Sequence, residues 1–243
     1  MRIEQRVYKQ AVYLLIIVMR NIFYTLLLLF TLLSCKESNY TITGTVKDAK
    51  NGERVSLGYS VYGEDFTKTD ETTIKNGNFH FSGEIEGCKI YYLLYSSEDN
   101  EISTPFFLES GDITANLSSN VSRVSGTPTN DRNLEFEDSI AWYVNEIFSI
   151  QNRLYSDSII SDSERSTLAL SGYELQNKSM MYVKKVIKEN ITSILGLYLL
   201  VQFADIFDIQ ELEELERKIP TVHQARSNNS LYDILIEIID ERK

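Results

Sequence analysis

The sequence predicts an α+β chain: an antiparallel β-sandwich over residues 40–128, followed by an antiparallel helical region over residues 129–243. Three observations predict it. Apolar residues alternate at period two up to about residue 130. Beyond that point they recur three or four apart, the spacing of one face of a helix. Turn-forming dipeptides separate the alternating runs and are sparse afterwards.

The first run, Tyr40-Thr-Ile-Thr-Gly-Thr-Val46, places Tyr40, Ile42 and Val46 on one face. Asn51-Gly52 separates it from Val55, Leu57, Tyr59 and Val61, and Asn-Gly between alternating runs predicts a hairpin because both residues accept positive φ. Asn76-Gly77 repeats the device before Phe79 and Phe81. Further strands are expected at Ile90–Tyr95, Pro105–Leu108, Ile113–Leu117 and Val121–Val124, with a turn at Gly111-Asp112. Several short strands at this spacing read as a sandwich.

Gly126-Thr-Pro-Thr-Asn-Asp131 marks the change of period. Phe136, Ile140, Val144, Ile147, Ile150 and Leu154 form a helical stripe. Ser161-Asp-Ser-Glu164 reads as a capping box opening a second helix that carries Leu168, Leu175, Met181, Val183 and Val186-Ile187. Asn190 or Thr192 is expected to cap a third helix, Ile194 to Phe207. Asp208-Ile-Gln-Glu211 reads as another cap, Pro220 as a stop, and Leu231, Ile234, Leu235 and Ile238 as a last amphipathic helix. Trp142 and the tyrosines of Ile90–Tyr95 are expected in the core, and the run Glu211, Glu213, Glu214, Glu216 on a solvated face.

The first 39 residues read as an address. The apolar block Ile22–Leu33 has signal-peptide length and falls short of the roughly 20 residues a membrane span needs. Arg20 precedes it and Ser34-Cys35 follows, a pattern similar to the lipobox of bacterial lipoproteins. Residues 1–34 are therefore expected to be a signal peptide, Cys35 the lipidated residue, and 35–39 a tether. Met19 is a candidate start, which would make residues 1–18 untranslated. The competing reading joins Ala11–Met19 to Ile22–Leu33 as one span. That would bury Arg20 near the bilayer centre, at about 2.5–3.5 kcal/mol on insertion scales. Lys36 stands where an Asp would favour retention in the inner membrane, so the outer membrane of a Gram-negative envelope is the expected location.

The chain carries a net charge of −11. Residues 1–34 hold four basic residues and one acidic one, so their removal takes the charge to about −14. This excludes nucleic acid as an electrostatic partner. Besides Cys35 the only cysteine is Cys88; one thiol makes neither an internal disulfide nor a C-x-x-C pair. Cys88 reads as a small, partly buried residue. His80 and His223 are the only histidines, and His80, between Phe79 and Phe81, is expected on a polar strand face. No catalytic set, metal-ligand set or phosphate loop is present in the sequence pattern, so no catalytic residue, metal or cofactor is assigned, and the ligand is left open. Asp138-Ser139-Ile140 and Asp157-Ser158-Ile159 each match a three-residue O-glycosylation pattern, making Ser139 and Ser158 candidates for modification.

Four stretches carry a family resemblance: Tyr40–Val46; Lys75-Asn-Gly-Asn-Phe-His-Phe-Ser-Gly83; Phe106-Phe-Leu-Glu-Ser-Gly-Asp-Ile113; and Val124-Ser-Gly-Thr-Pro-Thr-Asn130. Together, over roughly residues 39–135, they resemble the domain of unknown function 4369. The resemblance implies a β-rich module of envelope lipoproteins, commonly followed by a helical segment and then a thioredoxin-like domain. Val183–Asn190 and Ser193–Tyr198 are similar to that helical spacer. No W-C-x-x-C motif occurs, and the chain ends at Lys243 where the redox domain would begin, so the redox function does not carry over.

The expected function is a lipid-anchored, non-catalytic binding or interaction module of the cell envelope, held to the membrane through its lipid and meeting an envelope protein partner. One alternative is an accessory or truncated relative of a thiol-disulfide oxidoreductase. The other is an enzyme with an unrecognised site.

Overall fold

Two four-stranded sheets face each other in the computed structural model, which describes residues 39–60, 66–85, 87–98, 100–156, 160–224 and 230–243. The strands are β1 (Asn39–Val46), β2 (Arg54–Tyr59), β3 (Thr67–Thr73), β4 (Asn78–Glu84), β5 (Lys89–Ser96), β6 (Glu101–Leu108), β7 (Gly111–Leu117) and β8 (Arg123–Ser125). One sheet has the order β4-β1-β7-β8 and the other β3-β2-β5-β6. The α+β class holds: strands occupy the N-terminal half and helices the C-terminal half.

The alternating residues meet between the sheets. Ile42, Val46, Val55, Leu57, Phe79, Phe81, Leu93, Phe106, Ile113 and Leu117 are buried in one cluster. Their period-two spacing puts them on inner faces and leaves the intervening polar residues, His80 among them, outside.

Four details depart from the expected strand pattern. Asn51-Gly52 makes no hairpin, because β1 and β2 lie in different sheets; the turn carries the chain across the sandwich. Asn76-Gly77 is a true two-residue turn, with φ of 52° and 76°, and Lys75 and Asn78 exchange both backbone bonds across it. It nevertheless joins β3 of one sheet to β4 of the other. Gly111-Asp112 opens β7 rather than forming the turn before it. Finally, β1 and β7 run parallel, pairing Tyr40 with Gly111 through Val46 with Leu117, while the other strand pairs are antiparallel.

Strand β3 had no apolar alternation to announce it. Thr-Lys-Thr-Asp-Glu-Thr-Thr is an exposed edge strand, held by β2 and by Glu71, which bonds Arg54 at 2.6 Å and Lys68 at 2.9 Å. Charges on an edge discourage pairing with another chain. Val121, expected in a strand, is exposed and precedes β8.

The helices are α1 (Pro128–Ser156), α2 (Asp162–Asn190), α3 (Ile194–Gln202), α4 (Ile209–Glu216), α5 (Thr221–Gln224) and α6 (Ser230–Glu241), with a 3-10 turn at Ala204–Ile206. Helices α1 and α2 pack as an antiparallel hairpin, with Phe136 stacked on Tyr182 at 6.1 Å near its base. At 29 residues each they are about 43 Å long. Their buried apolar residues gather at the base: Phe136 on α1, Val183 and Ile187 on α2. These join Leu195, Leu197 and Leu200 of α3, Leu212 of α4 and Leu235 of α6 in a second core. Phe107, Cys88 and Ile90 belong to that core too. The outer face of β5 and β6 is therefore the seat of the helices, and residues 38–243 form one compact unit.

Farther along the hairpin several expected core residues are exposed. Trp142, at 54 %, stands beside Tyr143 instead of in a core. Val144 and Met181 are also exposed, and Tyr143 faces Tyr182 in the place expected for Val144. The rest of the stripe faces inward, with Phe136 buried and Ile140, Ile147, Ile150 and Leu154 half-buried; only Val144 gives its place to its neighbour Tyr143.

Caps differ as well. Ser161 accepts from the Glu164 N–H at 3.3 Å, but the Glu164 carboxylate is taken by Arg153 at 3.0 Å, so the box is half made. The cap of α3 is Ser193, not Asn190 or Thr192, and that helix stops at Gln202. Asp208 and Glu211 form the full reciprocal box at α4.

Three of the four acids in the run on α4 are paired, while Glu214 is exposed as expected. Glu211 bonds Lys184 at 2.6 Å and Lys188 at 3.3 Å, and Glu213 lies 3.7 Å from Lys243. Glu216 accepts from the Tyr232 hydroxyl. The lysine bonds hold the Glu211 carboxyl below the usual carboxylate range. With the folded value depressed, the pairing stabilises fully above the unfolded value and is lost as pH falls through the folded one. Glu211→Gln is expected to cost about 0.5–1 kcal/mol at pH 7, and the difference from wild type to vanish on acidification. Urea melts at pH 7 and at pH 3 check this.

Candidate functional site

The candidate site lies on the open side of the sandwich, where α1 begins. Strand β6 ends its sheet and β8 ends the other. An edge strand leaves every second residue's N–H and C=O without a strand partner. On β6 that set is fixed by Phe107. Its N–H donates to Asn130 Oδ1 at 3.0 Å, and its C=O accepts from Asn130 Nδ2 at 2.7 Å. Nδ2 also donates to Thr127 Oγ1 at 2.8 Å. The Asn130 amide thus stands in for one peptide unit of a further strand. It is 2 % exposed.

Around this clamp the two last resemblance-bearing stretches meet. The Thr129 N–H and hydroxyl donate to the two oxygens of Glu109 at 2.8 and 2.9 Å. The Gly126 N–H donates to Asp131 Oδ1 at 2.7 Å. Pro128 is the first helical residue, where its missing N–H costs nothing. The start of α1 is thereby tied to β6 by side chains from both segments.

Strand parity extends from Phe107 to Pro105, Ser103 and Glu101, which lie opposite Tyr92, Leu94 and Ser96 and are exposed. Their backbone groups point away from β5, as those of Phe107 do. Pro105 has no N–H to offer, as suits an edge. Beside this edge lies a groove of about 310 Å³. Its floor is β6 from Glu101 to Pro105. Ser118, Ser119 and Ser122 form one wall, and Asn133 and Glu137 of α1 the other. Thr104, 7 % exposed, also lines it. Its hydroxyl is buried without a hydrogen-bond partner among the described residues, which is costly unless something supplies one.

Cys88 lies just behind the clamp, its thiol 3.9 Å from Thr129 Oγ1. Burial, aided by the Glu109 charge, pushes its pKa up to about 12. A thiol so far from ionisation is a poor nucleophile. Cys88 is expected to resist a thiol-specific disulfide reagent at pH 8 in the folded protein and to react fully in guanidinium.

Other residues singled out from the sequence lie apart from the groove. Ser139 is on α1, its hydroxyl donating to the Glu135 carbonyl at 2.8 Å. His80 is exposed on β4, and His223 is half-buried in α5. Cys35, Met19 and Ser158 lie outside the described residues. Among the described residues no group of three or more His, Cys, Asp or Glu is placed to hold a metal ion. Nor, among them, is any helix long and apolar enough to cross a membrane. The groove itself escaped sequence reading. Thr104 is one of three polar residues in β6, and only the meeting of two sheet edges with α1 encloses it.

Residues 40–133 match the family model described as Domain of unknown function (DUF4369). The resemblance read from the four stretches is correct over this β-rich part and the first turns of α1, and the match indicates no catalytic family. No curated protein matches the chain.

Proposed function

We propose, from the premise that residues 40–133 are a DUF4369 domain, that the chain is a lipid-anchored envelope protein working as a non-catalytic binding module. The anchor is Cys35 and the expected location the outer membrane of a Gram-negative bacterium. The observation that carries the binding role is the groove beside β6, with its buried Thr104 hydroxyl, which has no hydrogen-bond partner among the described residues. A concave site with a few converging polar groups is the usual form of a binding site. The high pKa of Cys88 supports a reading without redox chemistry of its own.

Two measurements test this. Radiolabelled palmitate should enter the wild type and be lost in Cys35→Ala; equal labelling would remove the anchor. A photo-crosslinking residue at Ser119, inside the groove, should capture a discrete envelope component in living cells, while one at Thr69, on the far edge strand, should not. Identical adducts from both positions, or none from Ser119 under any growth condition, would contradict a groove that binds.

A further inference from the structure

We propose that the groove receives an extended basic peptide, which adds to the free edge of β6 as a further strand. The proposal rests on the binding-module reading and names its ligand.

Three independent features converge. The first is the backbone. The carbonyl of Pro105 and the N–H and C=O of Ser103 and Glu101 face outward on an exposed edge. Asn130 shows that this edge accepts amide pairing, since its side chain forms that pairing at Phe107. Five residues of strand from Glu101 to Pro105 span about 17 Å, a length that strand-addition ligands use.

The second is Thr104. Side chains of an added strand alternate between the two faces of the sheet. Residues on the inner face would enter the mouth of the sandwich alongside Thr104, whose hydroxyl has no partner among the described residues. A hydroxyl-bearing residue at that position supplies the missing hydrogen bond. An apolar one leaves it unmade.

The third is charge. The groove is lined by Glu101 and Glu137, and Arg123, at its β8 end, is engaged by Asp138 at 2.6 Å. The chain as a whole is strongly acidic. Residues on the outer face of the added strand would lie beside Glu101 and are best served by lysine or arginine. The preferred ligand thus alternates basic and hydroxyl residues. The walls of the groove are serine, asparagine and carboxylate, with no aromatic ring among its lining residues. A sugar would lack the stacking platform such ligands favour, and a peptide has no need of one.

The probe is a fluorescein-labelled hexapeptide alternating lysine and threonine, titrated into the full chain in detergent. Binding is expected, with slowed amide exchange at Ser103. Two further probes carry N-methyl groups on all lysines or on all threonines. Because alternate N–H groups of a strand point to opposite sides, one of these should bind at least about tenfold more weakly and the other like the parent. Glu137→Gln should weaken the lysine peptide and leave its glutamine counterpart unaffected. Equal loss with both N-methyl sets, unchanged Ser103 exchange, or no binding at millimolar peptide would overturn strand addition. The photo-crosslink from Ser119 separates the two readings. An adduct to a glycan or lipid in that experiment, with no peptide binding here, would refute the strand proposal while keeping the binding module.

Discussion

Asn130→Ala is expected to lower stability by about 3 kcal/mol, because each buried polar group left unpaired costs about 1–3 kcal/mol. The substitution orphans the N–H and C=O of Phe107 together, at a position 2 % exposed. For a chain of this size that corresponds to a fall in Tm of roughly 6–12 °C. Asn130→Asp keeps the acceptor for the Phe107 N–H but turns a carboxylate oxygen towards the Phe107 carbonyl. It should destabilise to a similar extent at neutral pH and less in acid, where a protonated carboxyl donates again. Thermal and urea melts of both variants check this. A loss below about 0.5 kcal/mol, the level of an ordinary surface substitution, would mean that the β6 edge is satisfied some other way.

Gly196→Ala should also destabilise, against its helix propensity. Alanine is favoured over glycine inside a helix by about 0.8–1.0 kcal/mol. At Gly196, however, a Cβ would stand 2.0 Å from the Asn190 carbonyl oxygen and 2.6 Å from the Ile191 nitrogen. Backbone cannot rotate away as a side chain can, so α3 would have to shift from the end of α2. Overpacking of this kind costs about 1–3 kcal/mol or more, and a net loss of about 2 kcal/mol is expected. Gly172, in the middle of α2, is the contrast. A Cβ there meets only Ile150 Cγ2, at 3.4 Å, so Gly172→Ala should stabilise by up to about 1 kcal/mol. Melts showing the same sign for both variants would refute the close approach at Gly196.

Much of the architecture could be read along the chain. The alternation at Tyr40–Val46 and Ile113–Leu117, and the three-to-four spacing after Pro128, report local geometry that any partner surface would require. The Asp208–Glu211 box depends on residues three apart, and it formed as expected. Ser161–Glu164 has the same spacing, yet Arg153 from the preceding helix took the glutamate. The polar run Thr67–Thr73 becomes a strand because β2 offers it a ladder, which no pattern within the run reveals. Val144 fits a three-to-four spacing, yet Tyr143 beside it takes the inward place against Tyr182, and Trp142 lies on the exposed side of the helix.

For the site, legibility was partial in an instructive way. Phe106–Asp112 and Thr127–Asn130 stood out as residues carrying a resemblance, but their contact did not. The Asn130 clamp joins positions 23 apart, and a sequence offers no rule for which backbone an asparagine will reach. The groove needs the edges of two sheets and one face of α1 at once.

The sequence alone determined the α+β class, the order of its two halves and most helix positions. These follow from periodicity, caps and composition, which act over a few residues. Tertiary structure decided which strands became neighbours, that β1 and β7 run parallel, and, among the described residues, that β6 ends its sheet and that the Thr104 hydroxyl lies unpaired beside a groove. Those outcomes depend on which distant segments bury one another, because burial rewards the whole assembly of faces and not any single segment.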